Sequence, residues 1–133
     1  MTTASQTLAR FAVDLKYEDI PAEVLARARA TIIDTVAVCT FCSQLPWSRM
    51  IAAYGKSNSA PGKARVIGTS LNLRAPFAAL ANGAAAHAFE MDSLCHPSVG
   101  VHPGASLATP ALAVAQALAS TAWLFVISRH GML

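Results

Sequence analysis

From Pro103 to Ser128 the chain carries no Asp, Glu, Lys or Arg. A run of that kind has to leave water, against the rest of a globular fold, a partner chain or a bilayer, whose roughly 30 Å of hydrocarbon it is long enough to cross. Its own residues choose among these. Pro110, Gln116 and several Ser and Thr interrupt it, and its first part is dominated by alanine as the commonest residue, which gains little from lipid. It therefore reads as a buried helix of a larger globular fold, with a membrane-associated helical protein as a third, weaker reading. The whole sequence agrees: 54% of its 133 residues are hydrophobic and 13% charged, against roughly 25% charged in an ordinary soluble domain. A chain this short has a high surface-to-volume ratio and too few polar residues to cover itself, so part of its surface is expected to be buried against something else.

The periodicity is helical nearly throughout. Ser5 to Leu15 places Leu8, Phe11, Ala12 and Leu15 at helical spacing. The segment from Tyr17 to Ser43 is the clearest helix, with Pro21 in its first turn, Glu23 at its positive end, and Val24, Ala28, Ile32 and Thr35 on one face. Asp34 falls in its apolar second half, where a buried carboxylate would need a partner. A short helix over 48–55 stops at Gly55, residues 56–65 form an exposed loop, and 64–69 are a short strand. Two alanine-rich helices follow, over 73–92 and 103–120, and their small side chains ask for closely packed neighbours. The fold class expected is all-α, mainly helical, because one strand candidate does not make a sheet.

Several function classes are excluded or demoted. The net charge of +3 comes from ten basic and seven acidic residues without a cluster, so there is no nucleic-acid footprint. Asp14, Glu18 and Asp19 near the start argue against a secretory or transit peptide, and three cysteines point to a reduced, cytoplasmic chain. Cys39 and Cys42 form a C-x-x-C, but it lies in an apolar helix with no second pair to complete a zinc site. They read as buried small hydrophobes.

The chemistry concentrates in residues 82–106, NGAAAHAFEMDSLCHPSVGVHPGAS, which hold three of the four histidines. With the helix extending to about Asp92, Gly83, His87 and Glu90 or Met91 share a face, and Gly83 leaves room beside His87. His96 and His102 are each followed by a proline that restricts their backbone, and Gly104 and Ala105 open the next helix, whose free N–H groups suit an anion. An imidazole beside such a terminus suits a carboxylate substrate and proton transfer near neutral pH. Metal ligation is the weaker reading. His87, Glu90, Asp92, His96 and His102 supply enough donors, but their spacing does not select three of the five.

Three blocks, IPAEVLARARATIIDTVAV, NGAAAHAFEMD and VHPGASLATPALAVAQALA, resemble in order and spacing the amino-terminal part of the MmgE/PrpD family, which includes 2-methylcitrate dehydratase and cis-aconitate decarboxylase. The family's middle motif looks like H-A-x-D-F-D-D-T followed by a loop and H-P-G-A. His87 and Ala88 match its start, Glu90 and Asp92 its first two acidic positions, and His102 the histidine of H-P-G-A. Ser93 and Leu94 stand where Asp and Thr are usual, and Leu94 lacks a hydroxyl that the decarboxylase-like members use, which disfavours decarboxylation. The resemblance implies a large helical domain followed by a smaller α/β domain, a homodimer, no metal or organic cofactor, and a lyase or isomerase acting on a small di- or tricarboxylate. It makes residues 1–120 a partial helical domain, to which later cationic residues would add. Residues 121–133 are an atypical apolar tail, a truncation or frame change. On this reading His102, Asp92, Glu90 and His87 are catalytic, and His96, Gly104 and Ala105 bind substrate. The alternative is a non-catalytic helical fragment or dimerisation unit.

Overall fold

A computed structural model of the chain describes residues 2–96 and 100–118. Five α-helices dominate it: α1 (Ala4–Asp14), α2 (Ala22–Cys42), α3 (Pro46–Asn58), α4 (Ala75–Ala86) and α5 (Thr109–Ala117). The fold is mainly helical, as expected. A small antiparallel ribbon pairs β1 (Pro61–Arg65) with β2 (Asn72–Leu73). Among the described residues no helix is long and apolar enough to cross a membrane. The stretch Trp123 to Leu133 lies outside the described residues.

Local chemistry explains most boundaries. Thr3 caps α1 by accepting from the Gln6 N–H, while the Gln6 side chain accepts from the Thr3 N–H, a reciprocal capping box. Pro21 is the N-cap of α2 rather than a residue of its first turn. α3 begins at Pro46, where a missing N–H costs nothing, and runs through Gly55 to Asn58. The expected stop at Gly55 is wrong because that glycine is buried against Leu73, where a Cβ would come within 2.9 Å of the Leu73 side chain. The residues expected as an exposed loop are thus the end of α3 and the first strand. The strand itself lies slightly earlier than expected, at 61–65 instead of 64–69.

α4 sits at the centre, touching α2, α3, α5 and both strands. Its neighbours meet it through alanine: Ala78, Ala81, Ala85 and Ala86 are buried on α4, with Ala111, Ala113 and Ala115 on α5. Two side chains tie the ribbon to this core. Gln116 Oε1 accepts from the Arg65 N–H at 2.7 Å, and Asn82 bonds both flanks of Val66. On α2 the buried face is Ala28, Ile32, Thr35, Val38, Cys39 and Cys42. Asp34 is exposed, so the partner that burial would have demanded is not required. Large apolar side chains remain exposed among the described residues, including Phe11 of α1, Ile33 and Phe41 of α2, and Met50 of α3.

Cys39 and Cys42 are free, fully buried thiols, as their apolar setting suggests. Burial, then the neighbouring Cys42 and Asp92, pushes the Cys39 pKa from 9.0 up to about 12, and burial raises that of Cys42 as well. The thiolate is the reactive form. At pH 8 iodoacetamide is therefore expected to label the partly exposed Cys95 and spare the other two, all three reacting in urea, as read by peptide mass spectrometry. The unfolded chain releases the Cys39 proton near pH 9, which the folded chain holds to about 12. Stability should accordingly fall as pH rises through that window, seen as a falling urea midpoint.

Candidate active site

The site is built where α4 ends. The helix stops at Ala86, with His87 as its C-cap, instead of continuing to Asp92. His87 N–H still bonds the Gly83 carbonyl, but Glu90 then adopts φ +53°, a left-handed conformation uncommon outside glycine. The chain turns back on itself there, which brings Asp92 beneath His87. Helical spacing thus gave the wrong partner: Glu90 is exposed and off the shared face, and the carboxylate that meets His87 is that of Asp92.

The opposite wall is the segment that starts at His102. Gly104–Ala108 forms a π-helical turn leading into α5, and the sequence gives a reason for it. Pro110 has no N–H and its ring crowds the preceding turn, so the helix widens just before it. The Thr109 N–H reaches back to the Gly104 carbonyl, and the Thr109 hydroxyl donates to the Ala105 carbonyl at 2.7 Å. Turns of this type are frequent at functional sites.

Two glycines let these walls approach. A Cβ at Gly104 would lie 2.7 Å from Thr35 Oγ1 and 3.2 Å from Ser93 Oγ, so only glycine seats the loop this close to α2. A Cβ at Gly83 would lie 3.1 Å from the Ala105 carbonyl. The space Gly83 leaves therefore serves the π-turn rather than His87. Ser93 completes the clasp by accepting from the Gly104 N–H at 3.1 Å. That amide is engaged, which corrects the expectation that Gly104 offers a free donor. Ala105 does line the open cleft, with Gly83, His87, Gly100, Val101, His102 and Ser106 around about 440 Å³.

The result is a three-residue cluster. His87 Nδ1 lies 3.1 Å from Asp92 Oδ1 and is hydrogen-bonded to it, while His102 Nδ1 lies 3.3 Å from the same oxygen. The second contact has ion-pair distance without hydrogen-bond alignment, leaving His102 Nδ1 buried and without a hydrogen-bond partner, as is Asp92 Oδ2. The imidazoles meet edge to face with centroids 4.4 Å apart. The Asp92 side chain is fully shielded, that of His102 is 25% exposed and that of His87 is 44% exposed. Their donor atoms all lie within 4.8 Å of one another, so the fold selects the three that spacing could not. A buried carboxylate holding two imidazoles at a cleft can orient them and place a proton donor beside a proton acceptor.

His96 stands apart. It is exposed and borders a second cleft with Arg27, Thr31, Ser93, Leu94, Cys95 and Pro103. Sequence reasoning missed Ser93 and Thr35 as the parts that hold the loop, since a lone hydroxyl residue gives no signal in one sequence. It also missed Arg27 and Thr31, which only the packing of α2 brings to the loop.

A family model described as the MmgE/PrpD N-terminal domain matches residues 6–130. Cis-aconitate decarboxylase of Aspergillus terreus is 34% identical over 105 residues, covering 79% of this chain and 21% of that protein. A cis-aconitate decarboxylase-like protein of Aspergillus oryzae shows the same identity and coverage. The chain thus spans 21% of the length of the curated relatives it matches. No solved structure matches significantly.

Proposed function

The chain belongs to the MmgE/PrpD family, and from that premise we propose that it supplies the acid–base half of a lyase site for small di- or tricarboxylates. The observation that carries this reading is the convergence of two imidazoles on one shielded carboxylate oxygen at the edge of a cleft. Removing a proton α to a carboxylate builds negative charge there, and the hydroxide leaving the neighbouring carbon needs a proton. Of the pair, His102 is the base that takes the α-proton, and His87 hands a proton to the leaving hydroxyl, so that water departs and a double bond forms. Asp92 holds both rings in register. Glu90, expected to share this work, stands outside the cluster.

Decarboxylation is the second reading, favoured by the similarity to the two Aspergillus proteins, a cis-aconitate decarboxylase and a cis-aconitate decarboxylase-like protein. There the same imidazole would protonate the carbon from which carbon dioxide leaves. Leu94 offers no hydroxyl at the position where the resemblance implies that decarboxylase-like members carry one, which supports dehydration of a 2-methylcitrate-like substrate as the first choice. A homodimer in a reduced, cytoplasmic setting goes with either reading.

The test is a chimera in which residues 6–118 replace the matching segment of the Aspergillus terreus enzyme, assayed for dehydration of 2-methylcitrate and for decarboxylation of cis-aconitate. His102→Gln is expected to lower kcat by roughly 10² on whichever substrate turns over. Unchanged turnover would remove His102 from the mechanism.

A further inference from the structure

The acid–base reading leaves two atoms of the cluster without a hydrogen-bond partner. Asp92 Oδ2 and His102 Nδ1 are both buried without a hydrogen-bond partner, and an unpaired buried polar group costs free energy that a native fold normally recovers. Asp92 Oδ1 meanwhile faces two ring nitrogens at 3.1 and 3.3 Å. Zinc binds imidazole nitrogen at about 2.0–2.1 Å and carboxylate oxygen at about 2.0–2.2 Å, which sets neighbouring ligand atoms about 2.9–3.4 Å apart in tetrahedral or octahedral coordination. Both measured separations fall in that range, and since all three donors lie within 4.8 Å of one another, a shift of the half-exposed His87 ring lets one ion reach them all.

We propose that His87, Asp92 and His102 form a binding site for a divalent transition-metal ion of zinc's class. Two nitrogens and one carboxylate oxygen make a donor set suited to zinc, cobalt or nickel. Imidazole is too soft a ligand for magnesium or calcium to be held in preference. The donors stand on two walls, the end of α4 with its following turn and the entry to the π-turn, so a bound ion would also tie these walls together. Asp92 is the shielded anchor, and the half-exposed His87 is the ligand that closes over the ion from the cleft side. Three protein ligands leave further positions to solvent or to a carboxylate. Where the proposed acid–base function holds, the ion also takes the lone pairs that proton transfer needs and so inhibits. That consequence rests on the function proposed above, whereas binding itself does not.

Metal-free chain titrated with Zn²⁺ against a chromophoric chelator is expected to take up one equivalent, and Co²⁺ to give visible bands of a nitrogen- and oxygen-ligated site. His87→Gln and His102→Gln should each weaken binding by at least the roughly tenfold to hundredfold that loss of a supporting partner costs at metal sites. His87 is half-exposed, so its variant reports on binding without disturbing the core, and circular dichroism checks the helix content of both. Cys95→Ser combined with His96→Gln, and a large excess of Mg²⁺, should leave Zn²⁺ uptake unchanged. No stoichiometric uptake, uptake indifferent to both histidine variants, or uptake abolished by the Cys95 and His96 changes would overturn the site. Stoichiometric binding in a chimera whose turnover ignores His102→Gln would keep the metal site and remove the acid–base reading.

Discussion

Asp92→Asn is expected to cut kcat of the family-length chimera by about 10³ while its melting temperature holds or rises. The side chain is fully shielded and one oxygen serves both imidazoles. Asparagine keeps the shape and removes the charge. It then presents either a neutral carbonyl, which holds a cationic ring weakly, or an NH₂ group, which forces the facing nitrogen to become an acceptor. A carboxamide in place of the buried carboxylate behind a catalytic histidine costs about 10⁴ in serine proteases, through the wrong tautomer. Here it disturbs two rings, one of which is already poorly aligned. The stability half separates function from scaffolding. A shielded carboxylate with an unpartnered oxygen is a cost to the fold, so a residue kept for structure would lose stability on this substitution, and one kept for chemistry would not. Full turnover with a lowered melting temperature would assign Asp92 to the scaffold.

The same cluster shows what a single sequence carries and where it stops. Helix existence was legible because buried faces repeat at 3.6 residues: Ala28, Ile32 and Thr35 fall where the period puts them. The mostly helical class and the buried cysteines followed from the same apolar patterning. The end of α4 was not legible. Alanine, phenylalanine and glutamate after His87 would all tolerate another helical turn, and the break is set by tertiary packing, with Phe89 tilted against Phe41 and edge-on to Trp47 at centroid distances of 6.2 and 6.0 Å. Once that ring is drawn toward α2 and α3, Glu90 must reverse the chain and Asp92 comes to His87. Spacing rules describe neighbours along a helix, so they named Glu90. The closure of His102 onto the same oxygen depends on Gly104 fitting under Thr35, a contact between residues far apart in the chain.

Asn82→Leu is expected to be the most destabilising single change in the described core, at about 3 kcal/mol. Asn82 is 2% exposed and works at three atoms. Its Oδ1 accepts from the Ile67 N–H at 2.9 Å, its Nδ2 donates to the Arg65 carbonyl at 2.9 Å, and its own carbonyl accepts from Cys39 Sγ at 3.3 Å. The two side-chain bonds join the central helix to the backbone on either side of Val66, where the ribbon leaves its ladder. Leucine fills the same space but strands a part-buried donor and acceptor, each worth about 1–3 kcal/mol when left unpaired. For a chain of this length a loss of that size lowers the melting temperature by roughly 10 °C, measurable by circular dichroism or calorimetry. Ser48 supplies the contrast, because its hydroxyl is buried with no partner. Ser48→Ala removes an unsatisfied group rather than creating one, and should leave stability unchanged or raise it. If both variants melt alike, burial alone governs this core and the Asn82 bonds contribute nothing to it.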